Sequence, residues 1–114
     1  MKVKWISIGL AVMILIGCSS HRQAIKSEFD FANKLAQQGL WKEAYFRWEK
    51  ARTQGMETAS VYNNMAVALE NMGRLDDAEK MYKKALTLAP GDSTIQGNLT
   101  RLNKLSKKNE DEKK

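Results

Sequence analysis

The chain has 114 residues, with 19 Lys and Arg against 13 Asp and Glu for a formal charge of +6, which bounds it to one small domain. Its single cysteine, Cys18, and single histidine, His21, exclude an internal disulfide and a closed structural zinc site, which needs about four ligands. The basic excess raises nucleic acid or anionic membrane as partners, yet Lys2 and Lys4 precede an apolar run and Lys107, Lys108, Lys113 and Lys114 lie in a polar tail. Between the ends there is no dense basic patch, so no nucleic-acid partner is expected.

Residues 1–17 begin with two lysines and continue as an uncharged apolar stretch, Trp5 to Gly17. Spanning a bilayer takes roughly 20 apolar residues, so a short apolar core behind a basic start predicts a secretory signal peptide. It ends in Leu15-Ile16-Gly17-Cys18, which resembles the bacterial lipobox. That resemblance implies cleavage before Cys18, a diacylglycerol on its thiol and a further acyl chain, such as palmitate, on its new amino group. One chain anchors only marginally, at about 0.8 kcal/mol per buried CH₂, whereas two or three hold firmly. With Ser19 rather than Asp following, the enteric-type sorting rule implies a location in the cell envelope, at the outer membrane facing the periplasm.

Residues 18–24 then read as the lipidated cysteine and a short polar tether. Extended, Ser19 to Ala24 would reach about 20 Å. His21 lies in this tether, as a solvated residue and not a ligand or base.

The remainder repeats itself without gaps, residues 25–58 aligning position by position with residues 59–92. Ala32 matches Ala66, Leu35 matches Leu69, Gly39 matches Gly73, Ala44 matches Ala78 and Ala51 matches Ala85, with Trp48 and Tyr82 at one aromatic register. This period and pattern resemble the tetratricopeptide repeat (TPR). The fold class expected is all-α: two helix-turn-helix repeats followed by a capping helix. Tyr62, Met65, Ala66 and Leu69 follow helical spacing in the first helix of the second unit. Gly73 suits a left-handed C-cap, Asp76 and Asp77 suit the N-terminal end of the next helix, and Ala78, Met81, Tyr82, Ala85 and Leu86 share a face of it. In the first unit Phe31, Ala32, Leu35, Ala44, Trp48 and Ala51 are assigned to the core. Glu28 replaces the family's first aromatic residue, and Met56 the closing proline found at Pro90. Trp41 packs between the helices or, with Phe46, forms an exposed aromatic patch; the sequence leaves both open.

Residues 93–106 form the predicted cap, with Asp92 or Ser93 as N-cap and Ile95, Leu99, Leu102 and Leu105 as its apolar stripe. Residues 107–114 contain no apolar side chain and are expected to be a disordered charged tail.

No catalytic constellation stands out, because His21 is in the tether, Cys18 is assigned to lipid, and the paired carboxylates fall at a helix start and in the tail. No enzymatic activity, metal or cofactor is expected beyond the lipid on Cys18. The family resemblance instead implies protein binding on a concave face. Its groove register, carried over by position, gives Lys26, Phe29, Asn33 and Gln37 in the first unit, and Ser60, Asn63, Asn64, Val67 and Asn71 in the second. Asn98 and Arg101 follow on the last helix. Asparagine amides offer a donor and an acceptor to an extended backbone, although Asn33 and Asn64 are also common at these places in the family. Phe29 stands where the carboxylate-clamp members have lysine, which argues against a C-terminal carboxylate as ligand.

Small lipoproteins resembling this one imply an adaptor or assembly factor for an envelope complex such as a pilus, a secretion system or the outer-membrane assembly machinery. The alternatives are a recruiter of peptidoglycan-modifying enzymes and a self-associating structural lipoprotein, a homo-oligomer.

Overall fold

A computed structural model describes residues 3–113, with side chains from Gly17 onward; the expectations for Lys2 and Lys114 lie outside the described residues. Among the described residues five α-helices follow one another: α1 (Val3–Gln37), α2 (Trp41–Thr53), α3 (Ala59–Asn71), α4 (Leu75–Leu88) and α5 (Ser93–Asp111). Each packs against the next in the chain. The fold is all-α and TPR-like, as the repeat register requires.

Local chemistry sets the breaks between helices. Gly39 and Gly73 adopt φ of +75° and +77°, a left-handed conformation that only a residue without Cβ takes cheaply. Beyond them, the amides of Leu40 and Arg74 reach back to the carbonyls of Leu35 and Leu69 at 3.0 and 2.9 Å, closing Schellman-type turns. Thr58 caps α3 by accepting from the Val61 amide, and Asp92 caps α5 by accepting from the amides of Thr94 and Ile95. Asp76 and Asp77 occupy the first turn of α4, where carboxylates offset the positive end of the helix.

Alanine makes the close packing possible. Ala32, Ala44, Ala51, Ala66, Ala68, Ala78 and Ala85 are all fully buried, so neighbouring backbones meet without a long side chain between them. One cluster joins Ala32, Ala44 and Trp48 to Val61, Met65 and Ala68 of α3. A second joins Tyr62, Ala66 and Leu69 to Ala78, Tyr82 and Ala85, and takes in Ile95 and Leu102 of α5. α3 therefore has two buried faces, one toward the preceding helix α2 and one toward its own partner α4. Burial of side chains such as Met65, Leu69 and Leu102 contributes about 1.5–3 kcal/mol each.

The same register changes character on α5. One period after Val61, Met65 and Ala68 come Ile95, Leu99 and Leu102, which pack on α4 as those residues pack on α2. One period after Tyr62, Ala66 and Leu69 come Gln96, Thr100 and Asn103, and all three are exposed. The face that would receive another helix is polar, so α5 meets water there.

Four expectations are corrected. Residues 18–24 are not an extended tether: they continue α1 without a break, because the segment contains no proline and its one flanking glycine, Gly17, is helical. As helix, Ser19 to Ala24 spans about 9 Å, less than half the extended reach. Residues 107–111 continue α5, where Lys and Glu are good helix formers and Lys108 pairs with Glu112 one turn on. Phe31 is not in the core but 45 % exposed, since among the described residues no helix covers the side of α1 that corresponds to the side where Met65 meets α2. Leu105 is exposed as well, one turn beyond the helix that covers Leu102.

At Glu28, the departure from the family pattern is compensated by charge. In place of the buried Tyr62 of the second unit, its carboxylate accepts from Arg47 Nη1 at 3.0 Å and from Lys50 Nζ, both on α2. The Lys50 contact and the Arg47 contact hold the Glu28 carboxyl below the usual carboxylate range, against the opposing effect of burial. Met56 likewise fits, donating its amide to Ala51 O at 3.0 Å, a bond that a proline could not make. Trp41 is half-buried and packs against the first cluster, which decides between its two readings.

Candidate functional site

The first helix of each pair, α1 and α3, carries the groove. On α1, Phe29, Asn33 and Gln37 recur every four residues and so share one stripe. With Ala36, Trp41, Trp48, Ser60, Asn64 and Val67 they line a groove of 450 Å³. Phe29 and Ser60 also line a second hollow of 680 Å³, together with Lys26, Arg22, Cys18, Met56 and Thr58. The shared residues set the two side by side. The concave face thus runs from Val67 to the N-terminal part of α1.

An amide chain crosses this face from α5 to α1. Asn98 Nδ2 donates to Asn63 Oδ1 at 3.0 Å, Asn63 Nδ2 to Asn64 Oδ1 at 3.4 Å, and Asn64 Nδ2 to Asn33 Oδ1 at 3.3 Å. Asn33 Oδ1 accepts a second bond from the Trp48 indole at 3.1 Å. An indole N–H can only donate, so Trp48 decides which end of the Asn33 amide faces it. Every later amide in the chain then has its orientation set in turn. Left over along the chain are both Nδ2 protons of Asn33 at one end, Oδ1 of Asn98 at the other, and one Nδ2 proton each on Asn63, Asn64 and Asn98.

The remaining candidates divide. Lys26 is exposed and paired with Asp30 at 2.6 Å, at the basic end of the groove near Arg22. Gln37 and Ser60 are exposed, and Val67 is half-buried in the groove wall. Asn71 is turned back on its own helix, donating to Val67 O at 2.8 Å. Arg101 belongs to a different hollow on α5, with Gly97, Thr100, Lys104, Leu105 and Lys108, and its guanidinium is held by Glu70. Neither Asn71 nor Arg101 lines the two adjacent hollows, because each directs its donors to a nearer acceptor.

Sequence reasoning missed Glu70, whose side chain is 10 % exposed. It accepts from Tyr82 Oη at 3.1 Å as well as from Arg101, tying α3, α4 and α5 together. Burial first, and then the adjacent Glu70 carboxylate, push the Tyr82 phenol well above its ordinary range. Arg22 and Gln23 were missed for another reason: they extend the α1 stripe one turn toward the N-terminus, a signal visible only once residues 18–24 are taken as helix. Cys18 is exposed.

Among the described residues no group of three or more His, Cys, Asp or Glu side chains is arranged to hold a metal ion. Among them, too, no helix is long and apolar enough to cross a membrane.

Residues 59–92 match the tetratricopeptide repeat family. That match is the second helix pair of the structure, and the first pair repeats its register at the residues given above. The chain therefore contains a TPR, a repeat that generally mediates protein–protein interaction. No curated protein matches the chain.

Proposed function

We propose that this protein is a lipid-anchored adaptor or assembly factor of the bacterial cell envelope, which holds an extended segment of another envelope protein along the α1–α3 groove. The observation that supports it most is the amide chain that runs from Asn98 to the groove residues Asn64 and Asn33 and leaves the Asn33 donors unused, in a groove walled by Phe29 and Val67. Such a face offers hydrogen bonds to a peptide backbone and apolar contact to its side chains. The lipobox-like Leu15-Ile16-Gly17-Cys18 supports the anchor, and Ser19 after it supports the outer membrane as the location. No catalytic step is assigned to the chain.

The test is in-cell crosslinking of the intact protein, with mass spectrometry of what it captures. Ser60→Arg and Val67→Arg, both on the groove wall, should abolish capture of an envelope partner while leaving the fold intact. A partner retained in both variants would remove the groove from the proposal, and self-crosslinks alone would favour the structural homo-oligomer. Cys18→Ser should leave an uncleaved or mislocalised precursor; normal processing and membrane retention in that variant would end the lipoprotein reading.

A further inference from the structure

The molecule has a second surface that neither the core nor the groove uses. Phe46 is 65 % exposed and Phe31 45 %. They line one hollow of 480 Å³ with Leu35, Lys42, Glu43 and Arg47, and the Arg47 guanidinium carbon stands 5.1 Å above the Phe31 ring. The fold does not require either aromatic ring to be there. At the register of Phe46 the second unit has the exposed Lys80.

Two observations indicate what covers this face. The first is its pattern. Val61, Met65 and Ala68 form the buried stripe by which α3 meets α2, and the equivalent positions of α1 are Ser27, Phe31 and Lys34. A rigid helix packed on α1 in that manner would strand the Lys34 ammonium away from water. A fluid surface would not, since lysine and arginine bury their stems while their charges reach the headgroups. The second is charge. Lys42 and Arg47 line the hollow with Glu43, Lys34 is exposed one turn on from Phe31 along α1, and Arg47 is bonded to Glu28; neither Lys34 nor Lys42 forms an ion pair among the described residues.

We propose that the Phe31–Phe46 face docks on a bilayer containing anionic phospholipids. Aromatic rings flanked by cations are the composition of a shallow interfacial contact. The same helix that carries Phe31 continues to Cys18, about 20 Å away along its axis, so a membrane attachment at the N-terminus keeps the face near the lipid. The proposal rests on the anchor described above for that proximity alone. Docking has a consequence for the groove. At about 100° per residue, Phe31 lies about 160° around α1 from both Phe29 and Asn33. With Phe31 and Phe46 on the lipid, the groove faces the aqueous side.

The experiment places the photoreactive analogue p-benzoyl-phenylalanine at position 46 of the full chain, reconstituted into phosphatidylethanolamine vesicles with or without phosphatidylglycerol. A control carries it at position 71, near the groove. Lipid adducts should form at 46 and not at 71, and should fall when phosphatidylglycerol is omitted. Lys42→Gln should lower them about fivefold, the effect of one basic residue at an anionic surface. Protein adducts at 46 in place of lipid adducts, or equal lipid adducts at 46 and 71, would overturn the docking face. Sedimentation of the same vesicles reads the anchor separately. Absence of lipid adducts at 46 defeats the docking face whether or not the chain sediments.

Discussion

The indole N–H of Trp48 donates to Oδ1 of Asn33 across the α1–α2 interface at 3.1 Å. A residue that packs the core, 2 % exposed, thereby orients a residue of the groove. Because the indole cannot accept, the Asn33 amide has one orientation, with Oδ1 toward Trp48 and Asn64 and both Nδ2 protons left over. Trp48→Phe should keep most of the packing and lose this constraint. We expect a stability loss of about 1–2 kcal/mol, read as the urea midpoint. The Asn33 side-chain amide resonances should also shift or broaden; unchanged signals would show that the indole does not orient it.

Glu70 joins three helices through Tyr82 and Arg101. Replacing it with alanine leaves the buried Tyr82 hydroxyl without its acceptor and frees Arg101. Glu70→Ala should cost about 1–3 kcal/mol, and the loss should be uneven. Amide hydrogen exchange in α5 should accelerate more than in α1 and α2, since this carboxylate is one of the few side-chain links from α3 to α5, beside the Asn98–Asn63 bond. Uniform acceleration through all helices would refute a local role.

Gly73 has φ +77° and open space where a Cβ would sit. Strain in the backbone is then the only cost of adding one. Gly73→Ala should destabilise the chain by about 1–2 kcal/mol without moving its neighbours. Gly91, which lacks a positive φ and is equally open, should tolerate alanine with little change. Thermal unfolding of the two variants side by side checks the contrast.

Acid should weaken the helix pairs in a defined range. The carboxyls of Glu28 and Glu49 lie below their ordinary value of 4.5, held there by bonds from Lys50 and Arg52 respectively. Asp77 lies below 3.8 through Arg74. For groups with depressed folded pKa values, the stabilisation is fully present above the unfolded pKa and is lost as pH falls through the folded one. Unfolding midpoints should therefore be nearly flat above about pH 5 and decline below about 4.5. Glu28→Gln should lower the neutral-pH midpoint and make the acid decline shallower; an unaltered profile would mean that its two ion pairs contribute nothing.

The sequence by itself determined whatever depends on neighbours along the chain. The repeat period, the glycine turn at Gly73, the Asp92 cap and the alanine-lined faces are each local, because a few residues within one or two turns contain all the physics. The family match at residues 59–92 falls where that local pattern is most complete. Only the tertiary structure decided what happens between helices. It commits Asn33 Oδ1 to Trp48 and Arg101 to Glu70, leaves Phe31 exposed where Met65 is buried, and lets Glu28 stand in for an aromatic residue by pairing with Arg47 and Lys50. A side chain's free valences and its exposure depend on which distant residue arrives beside it, and equivalent registers acquire different neighbours at the two ends of a short stack. For that reason the fold was legible from spacing, whereas the amide donors left free in the groove, and the exposure of the Phe31–Phe46 face, were not.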